Sequence, residues 1–184
     1  MGRRTSMKTP AFVLIAGAAL LSFLGGCTSM TSDELLSSME VIDVETKWVE
    51  KYYQAWPPRL IVVPQISFRV KNVSERSLDY VNFNAIFKFK GDLNNFGDAF
   101  LAAIRGESVP PGGTSEVIVL KSNFGVEGKN LENIRENPEW KPTETKLFAI
   151  SKGSQPVLLG VYDVSREIDF KEPDAPEIKK DGER

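Results

Sequence analysis

The sequence predicts a mainly all-β chain, an antiparallel sandwich of about seven strands. Three observations lead there. Two segments, around residues 65–71 and 81–90, alternate apolar and polar residues with the period of a half-buried strand. Turns rich in Pro, Gly, Asn and Ser separate the apolar runs. Helical signals fall only in the connections, which leaves sheet packed on sheet as the way to bury the apolar faces.

The elements follow in order. In residues 41–48, Ile42, Val44, Thr46 and Trp48 alternate with charged residues, as a strand would. Val44, Trp48, Tyr52 and Trp56 also recur at i+4, so a helix stays open, although β-branched and aromatic residues favour the strand. Pro57 and Pro58 break the chain. Ile66, Phe68 and Val70 then share one face against Gln65, Ser67, Arg69 and Lys71. After the turn NVSERS, Val81, Phe83, Ala85, Phe87 and Phe89 share a face against Asn82, Asn84, Lys88 and Lys90. A one-residue slip would turn either apolar set to water, so the register is strongly specified.

GDLNNFGD reads as a loop, and AFLAAIRG as either a strand or a short helix. Pro111-Gly112 suits a type II turn, with proline preset at i+1 and glycine supplying positive φ at i+2. SEVIVLK is apolar on consecutive positions, which predicts a strand covered on both faces. Residues 122–144 form a polar excursion with one or two helical turns at NLENIREN. TKLFAIS and QPVLLGVYDVSREI pair as a hairpin across KGSQ.

The segments VKNVSERSLDYVNFNAIF and, downstream, VPPGGTSEVIVL resemble the core of FxLYD-type and related immunoglobulin- or fibronectin-III-like domains of bacterial envelope proteins. The resemblance spans roughly residues 60–121 and implies a β-sandwich that hairpin 145–168 closes. The aspartate such domains often carry after the second strand is replaced by Lys90-Gly91. A likeness of this kind concerns architecture and does not designate a ligand.

The first eight residues carry Arg3, Arg4 and Lys8 and no acid. An apolar stretch from Ala11 to Leu24 follows, shorter than the roughly 20 residues a spanning helix needs. A basic start, a short apolar run and small residues at its end form the pattern of a secretory signal. Leu24-Gly25-Gly26-Cys27 resembles the lipobox of bacterial lipoproteins. The resemblance implies cleavage between Gly26 and Cys27, a thioether to diacylglycerol at Cys27 and acylation of the new amino group. More than one acyl chain makes a stable tether. Thr28, in place of aspartate, implies the outer membrane by resemblance to enterobacterial sorting. Residues 1–26 are then signal, 27–40 a lipidated tether, 41–168 the β-sandwich and 169–184 a disordered polar tail.

Composition narrows the chemistry. Removing Arg3, Arg4 and Lys8 from 23 basic residues leaves 20 against 25 acidic ones, a net charge of −5 for the mature chain. With no long basic run, nucleic acid is not an expected partner. The chain has no histidine, and Cys27 is its single cysteine. Ser-His-Asp and Cys-His catalysis and the usual soft-metal sites therefore lack their residues. No cofactor, metal or catalytic residue is expected, although carboxylates alone can run hydrolysis.

The candidate residues beyond Gly26 and Cys27 are aromatic. Trp48, Tyr52, Tyr53 and Trp56 concentrate beside Pro57 and Pro58, either as a contact surface for a protein or glycan or as a lid on the end of the sandwich. Asp92, Asn94, Asn95 and Asp98 faintly resemble a calcium loop, but Phe96 falls where a ligand belongs, which favours a turn. Asn72-Val73-Ser74 matches a glycosylation sequon and equally a turn in which Asn bonds its own backbone. Asp163, Glu167 and Asp169 carry little weight as a catalytic pair. The expected role is a non-catalytic binding or scaffold module, anchored to the membrane through Cys27. An immunity or accessory lipoprotein of a secretion system, an outer-membrane assembly subunit and a carboxylate hydrolase are the alternatives.

Overall fold

The computed structural model describes Gly2 and residues 30–173. Its elements are α1 (Ser32–Ser38), β1 (Met39–Gln54), β2 (Arg59–Asn72), β3 (Val81–Phe89), β4 (Gly97–Ile104), β5 (Ile118–Lys121), β6 (Val126–Gly128), α2 (Leu131–Glu136), β7 (Thr143–Ile150), β8 (Val157–Val164) and β9 (Ile168–Asp169). One sheet has the order β5-β2-β1-β9, with β6 also on β2; the other has the order β4-β3-β7-β8. The chain is an all-β sandwich, as the sequence predicts.

The two alternating segments build the interior. Ile66, Phe68 and Val70 of β2 and Phe83, Ala85 and Phe87 of β3 are all completely buried. Phe68 and Phe83 meet edge-on across the sheets, ring centres 5.3 Å apart. Leu147 and Ala149 of β7 extend the same layer. Burying one large apolar side chain is worth about 1.5–3 kcal/mol, so these residues set the register by themselves.

The connections behave as their turn chemistry demands. Gly113 N–H donates to the Pro110 carbonyl at 2.9 Å, with Pro111 and Gly112 between them and Gly112 at φ +72°. Asn130 caps α2, its side chain accepting from Asn133 N–H at 2.8 Å. Hairpin β7–β8 forms as expected.

Several expectations need correction. The described residues contain nine strands, because the excursion at 122–144 supplies β6 and the chain's end supplies β9. AFLAAIRG resolves as strand, within β4. β5 was expected to be covered on both faces, yet Val117 and Val119 are exposed. It is an edge strand, hydrogen-bonded on one side to β2, with one face turned to water. β1 is a strand throughout. A bulge between Ile42 and Glu45, with Asp43 at φ +53°, interrupts its alternation and leaves Val44 exposed.

The domain also begins earlier and ends later than 41–168. Within the expected tether, Thr31 caps α1 and forms a capping box with Glu34, whose carboxylate accepts from Thr31 N–H at 2.8 Å. Leu35 is fully buried in the core. Within the expected tail, β9 pairs in parallel with β1, Lys47 bonds Asp169 at 2.8 Å, and Phe170 packs on Tyr53. Residues 174–184 lie outside the described residues, as do the signal segment 1–26, apart from Gly2, and Cys27.

Candidate functional site

The β1–β2 turn is the one place where the predicted aromatic cluster reaches solvent. β1 and β2 pair from Met39↔Asn72 to Gln54↔Arg59. At about 3.3 Å per residue the turn lies roughly 45 Å from the start of β1. Trp56, in this turn and followed by a cis Pro57, is 86% exposed.

Beneath it the turn is braced. The Gln54 side-chain amide donates to the Trp56 carbonyl at 3.1 Å, and the Tyr52 hydroxyl donates to the Gln54 side chain. The Arg59 guanidinium lies 5.7 Å from the Tyr52 ring centre. It also makes two parallel 2.9 Å bonds to Glu127 of β6. The hydrogen bond from Arg59, helped by its charge, holds the Glu127 carboxyl below its ordinary value. Trp56, Tyr52 and Arg59 thus gather at one braced turn, and Trp, Tyr and Arg are the residue types enriched at the centres of protein contacts.

The other two members of the cluster belong elsewhere. Trp48, expected at the contact surface, is a core residue and 1% exposed. Its ring stacks on Phe96 at 6.4 Å and meets Trp140 edge-on at 6.0 Å. The strand's bulge between Glu50 and Tyr52 shifts parity, so Trp48 turns inward while Tyr52 turns outward. Tyr53 is half-buried against Phe170. The alternative reading, rings closing one end of the sandwich, describes Trp48 and Tyr53; the contact-surface reading describes Tyr52 and Trp56. Cys27 and Gly26 lie outside the described residues.

The remaining polar candidates are structural. Asn72 is completely buried. Its amide donates to the carbonyls of Arg76 and Val109 at 2.7 and 2.8 Å, and its oxygen accepts from the Ser74 backbone and hydroxyl. Its nitrogen is therefore committed to the fold and closed to a glycan. In the 91–98 loop, Asp98 bonds the Asn123 amide at 2.8 Å. Phe96, the residue that spoils the calcium pattern, is packed between Trp48 and Phe89. Asp163 pairs with Lys90 at 2.7 Å and Asp169 with Lys47. The Glu167 backbone carbonyl accepts from Trp48 N–H at 2.8 Å.

Sequence reasoning missed Arg59 and Glu127, because no local pattern links residues 68 positions apart. It also missed the outward face of β4-β3-β7-β8, where Phe100, Leu158 and Val161 are exposed. Their outward parity was visible, but not the order that sets the four strands side by side.

No protein-family model matches the chain, and no curated protein matches it. Among the similar solved structures are two structural-genomics targets. One, designated SoR45, is 11% identical with a TM-score of 0.41, the match covering 82% of this chain and 96% of that one. The other is a Bordetella pertussis structural-genomics target described as an ApaA protein, 10% identical with a TM-score of 0.39, covering 70% and 93%.

Proposed function

We propose that the protein is a lipid-anchored binding module of the bacterial cell envelope, tethered through Cys27 and presenting the β1–β2 turn to a protein or glycan partner. It works without catalysis, on the periplasmic face of the outer membrane. The observation that carries the reading is Trp56, 86% exposed on a braced turn at the end of the sandwich remote from α1. One exposed ring is ordinary by itself; what sets Trp56 apart is its place on a turn held by side-chain hydrogen bonds and flanked by Tyr52 and Arg59. An anchor preceding α1 leaves that turn pointing away from the bilayer. Tethering raises the effective concentration of the site toward an envelope partner without adding contacts.

Two substitutions test the halves of the reading separately. Cys27→Ser should release the protein from washed membranes into the soluble fraction; a variant that stays membrane-bound would overturn the lipid anchor. Trp56→Ala should leave membrane attachment intact and cut capture of cross-linked envelope components at least tenfold, the ~1.4 kcal/mol or more expected of a central aromatic contact. Equal capture by both proteins would overturn the turn as the binding site.

A further inference from the structure

The outward face over β1 and β2 carries Lys47, Gln65, Ser67, Arg69 and Lys71, with Val119 of β5, 45% exposed, beside Ser67. Over the second sheet, register sets Phe100, Asn84, Phe148 and Leu158 in one row across β4, β3, β7 and β8. Asp98, Ile86, Lys146 and Val161 make the next row. Phe100 is 60% exposed, Leu158 46% and Val161 50%. Single exposed apolar residues are ordinary; here Phe100 on β4 and Leu158 and Val161 on β8 are linked across the middle strands by the half-buried Ile86 and Phe148, with Asn84 and Lys146 interrupting the rows.

We propose that this face is the interface between two copies of the chain, packed sheet to sheet about a two-fold axis. Area supports a second copy as the occupant. Four strands about 4.8 Å apart, each about eight residues at ~3.4 Å, give a footprint of roughly 500 Å². Side-chain relief brings the buried accessible area toward the ~800 Å² per partner of a standard interface.

Charge supports it too. The face carries Lys88 and Lys146 against Asp98 and Glu144, and its remaining acid, Asp163, pairs with Lys90 at 2.7 Å. It is balanced in sign, so it offers no field to a strongly acidic or basic partner and does not repel its own copy.

An axis lying along the strands, midway between β3 and β7, sets β3 over β7 of the second copy and β4 over β8 of the second copy. Lys88, 3.8 Å from Glu144 of its own chain, then also meets Glu144 of the second copy, Phe100 meets Leu158 of the second copy, and Ile86 meets the stem of Lys146 of the second copy. Asn84, Ile86, Asp98 and Phe124 line a hollow of about 330 Å³ on this face. The same axis seats Val161 of the second copy over it. Each contact occurs twice, as a closed two-fold interface requires, and the strands stay nearly aligned, as in face-to-face sheet packing.

The test uses the full-length chain in detergent. In the double variant Phe100→Cys/Leu158→Cys the two sites lie three strand spacings apart within a chain, about 14 Å. Sheets packed face to face lie about 10 Å apart, beyond the ~7 Å a disulfide spans, so the cross-link is made with a bismaleimide whose spacer of about 8 Å reaches across the interface but not across the wider gap within a chain. Treatment with it should give several-fold more covalent dimer from the double variant than from wild type or either single variant. Leu158→Lys should convert the sedimenting species from dimer to monomer with an unchanged circular dichroism spectrum. Monomeric wild type, equal cross-linking by the single variants, or a dimer that survives Leu158→Lys would each overturn the proposal.

Discussion

The indoles of Trp48 and Trp140 meet edge-on with ring centres 6.0 Å apart, although the two residues come from β1 and from the polar excursion before β7. Both are buried, and Arg166 covers the outer ring, its guanidinium 4.2 Å from the Trp140 centre. The pair therefore locks an irregular segment onto the sheet. Trp48→Ala should cost about 3–5 kcal/mol in urea denaturation, and Trp48→Phe less. A double-mutant cycle combining Trp48→Leu with Trp140→Leu should yield a coupling of about 0.5–1.5 kcal/mol beyond the area term. A coupling of zero would mean that the two rings are buried independently.

Asn72 carries four hydrogen bonds between β2, the 73–76 turn and the Val109 carbonyl. Asn72→Ala removes all four bonds; the Val109 carbonyl keeps the Leu78 N–H and the Arg76 carbonyl keeps the Ser74 hydroxyl, so the cost is that of the lost bonds, about 0.5–1.5 kcal/mol each. Asn72→Asp should be nearly as damaging, because it keeps the bonds to Ser74 and turns an acceptor on the carbonyls. Thermal unfolding of the two variants checks this. An Asn72→Asp protein as stable as wild type would show that the two donated bonds contribute nothing.

The sequence carried the sandwich because β2 and β3 state their parity without ambiguity: Ile66, Phe68, Val70 and Phe83, Ala85, Phe87 all point inward as the alternation requires. It failed at β1, where the bulge between Ile42 and Glu45 exposes Val44 and the one between Glu50 and Tyr52 separates Trp48 from Tyr52 in fate. Bulges leave little mark in composition. It failed again at both ends of the domain, since Leu35 and Phe170 are single apolar residues in polar surroundings. Their burial depends on gaps that only the packed sheets define.

Leu35 makes α1 part of the domain rather than of the tether. The helix is seven residues long, too short to persist alone in water, so its docking rests on the buried side chain and the cap. Leu35→Ala should destabilise the protein by about 2–5 kcal/mol. Leu36→Ala, one position on and exposed, should stay within about 0.5 kcal/mol. Equal effects of the two substitutions would return α1 to the tether.

Glu34 links that helix to pH. Its carboxylate accepts from the Thr31 backbone N–H and hydroxyl, which with the Arg76 charge holds its titration below the ordinary value of 4.5. A carboxyl depressed by folding adds stability that is fully present above the ordinary value and disappears as pH falls through the lower folded one. Glu34→Gln removes the titrating group while keeping an acceptor oxygen. The stability difference between wild type and Glu34→Gln should hold constant from neutral pH down to about 5 and shrink below 4.5. Because the side chain faces solvent, the difference is small, and thermal midpoints measured in parallel across pH read it best. A difference that grows on acidification would reverse the sign and place the stabilisation in the protonated form.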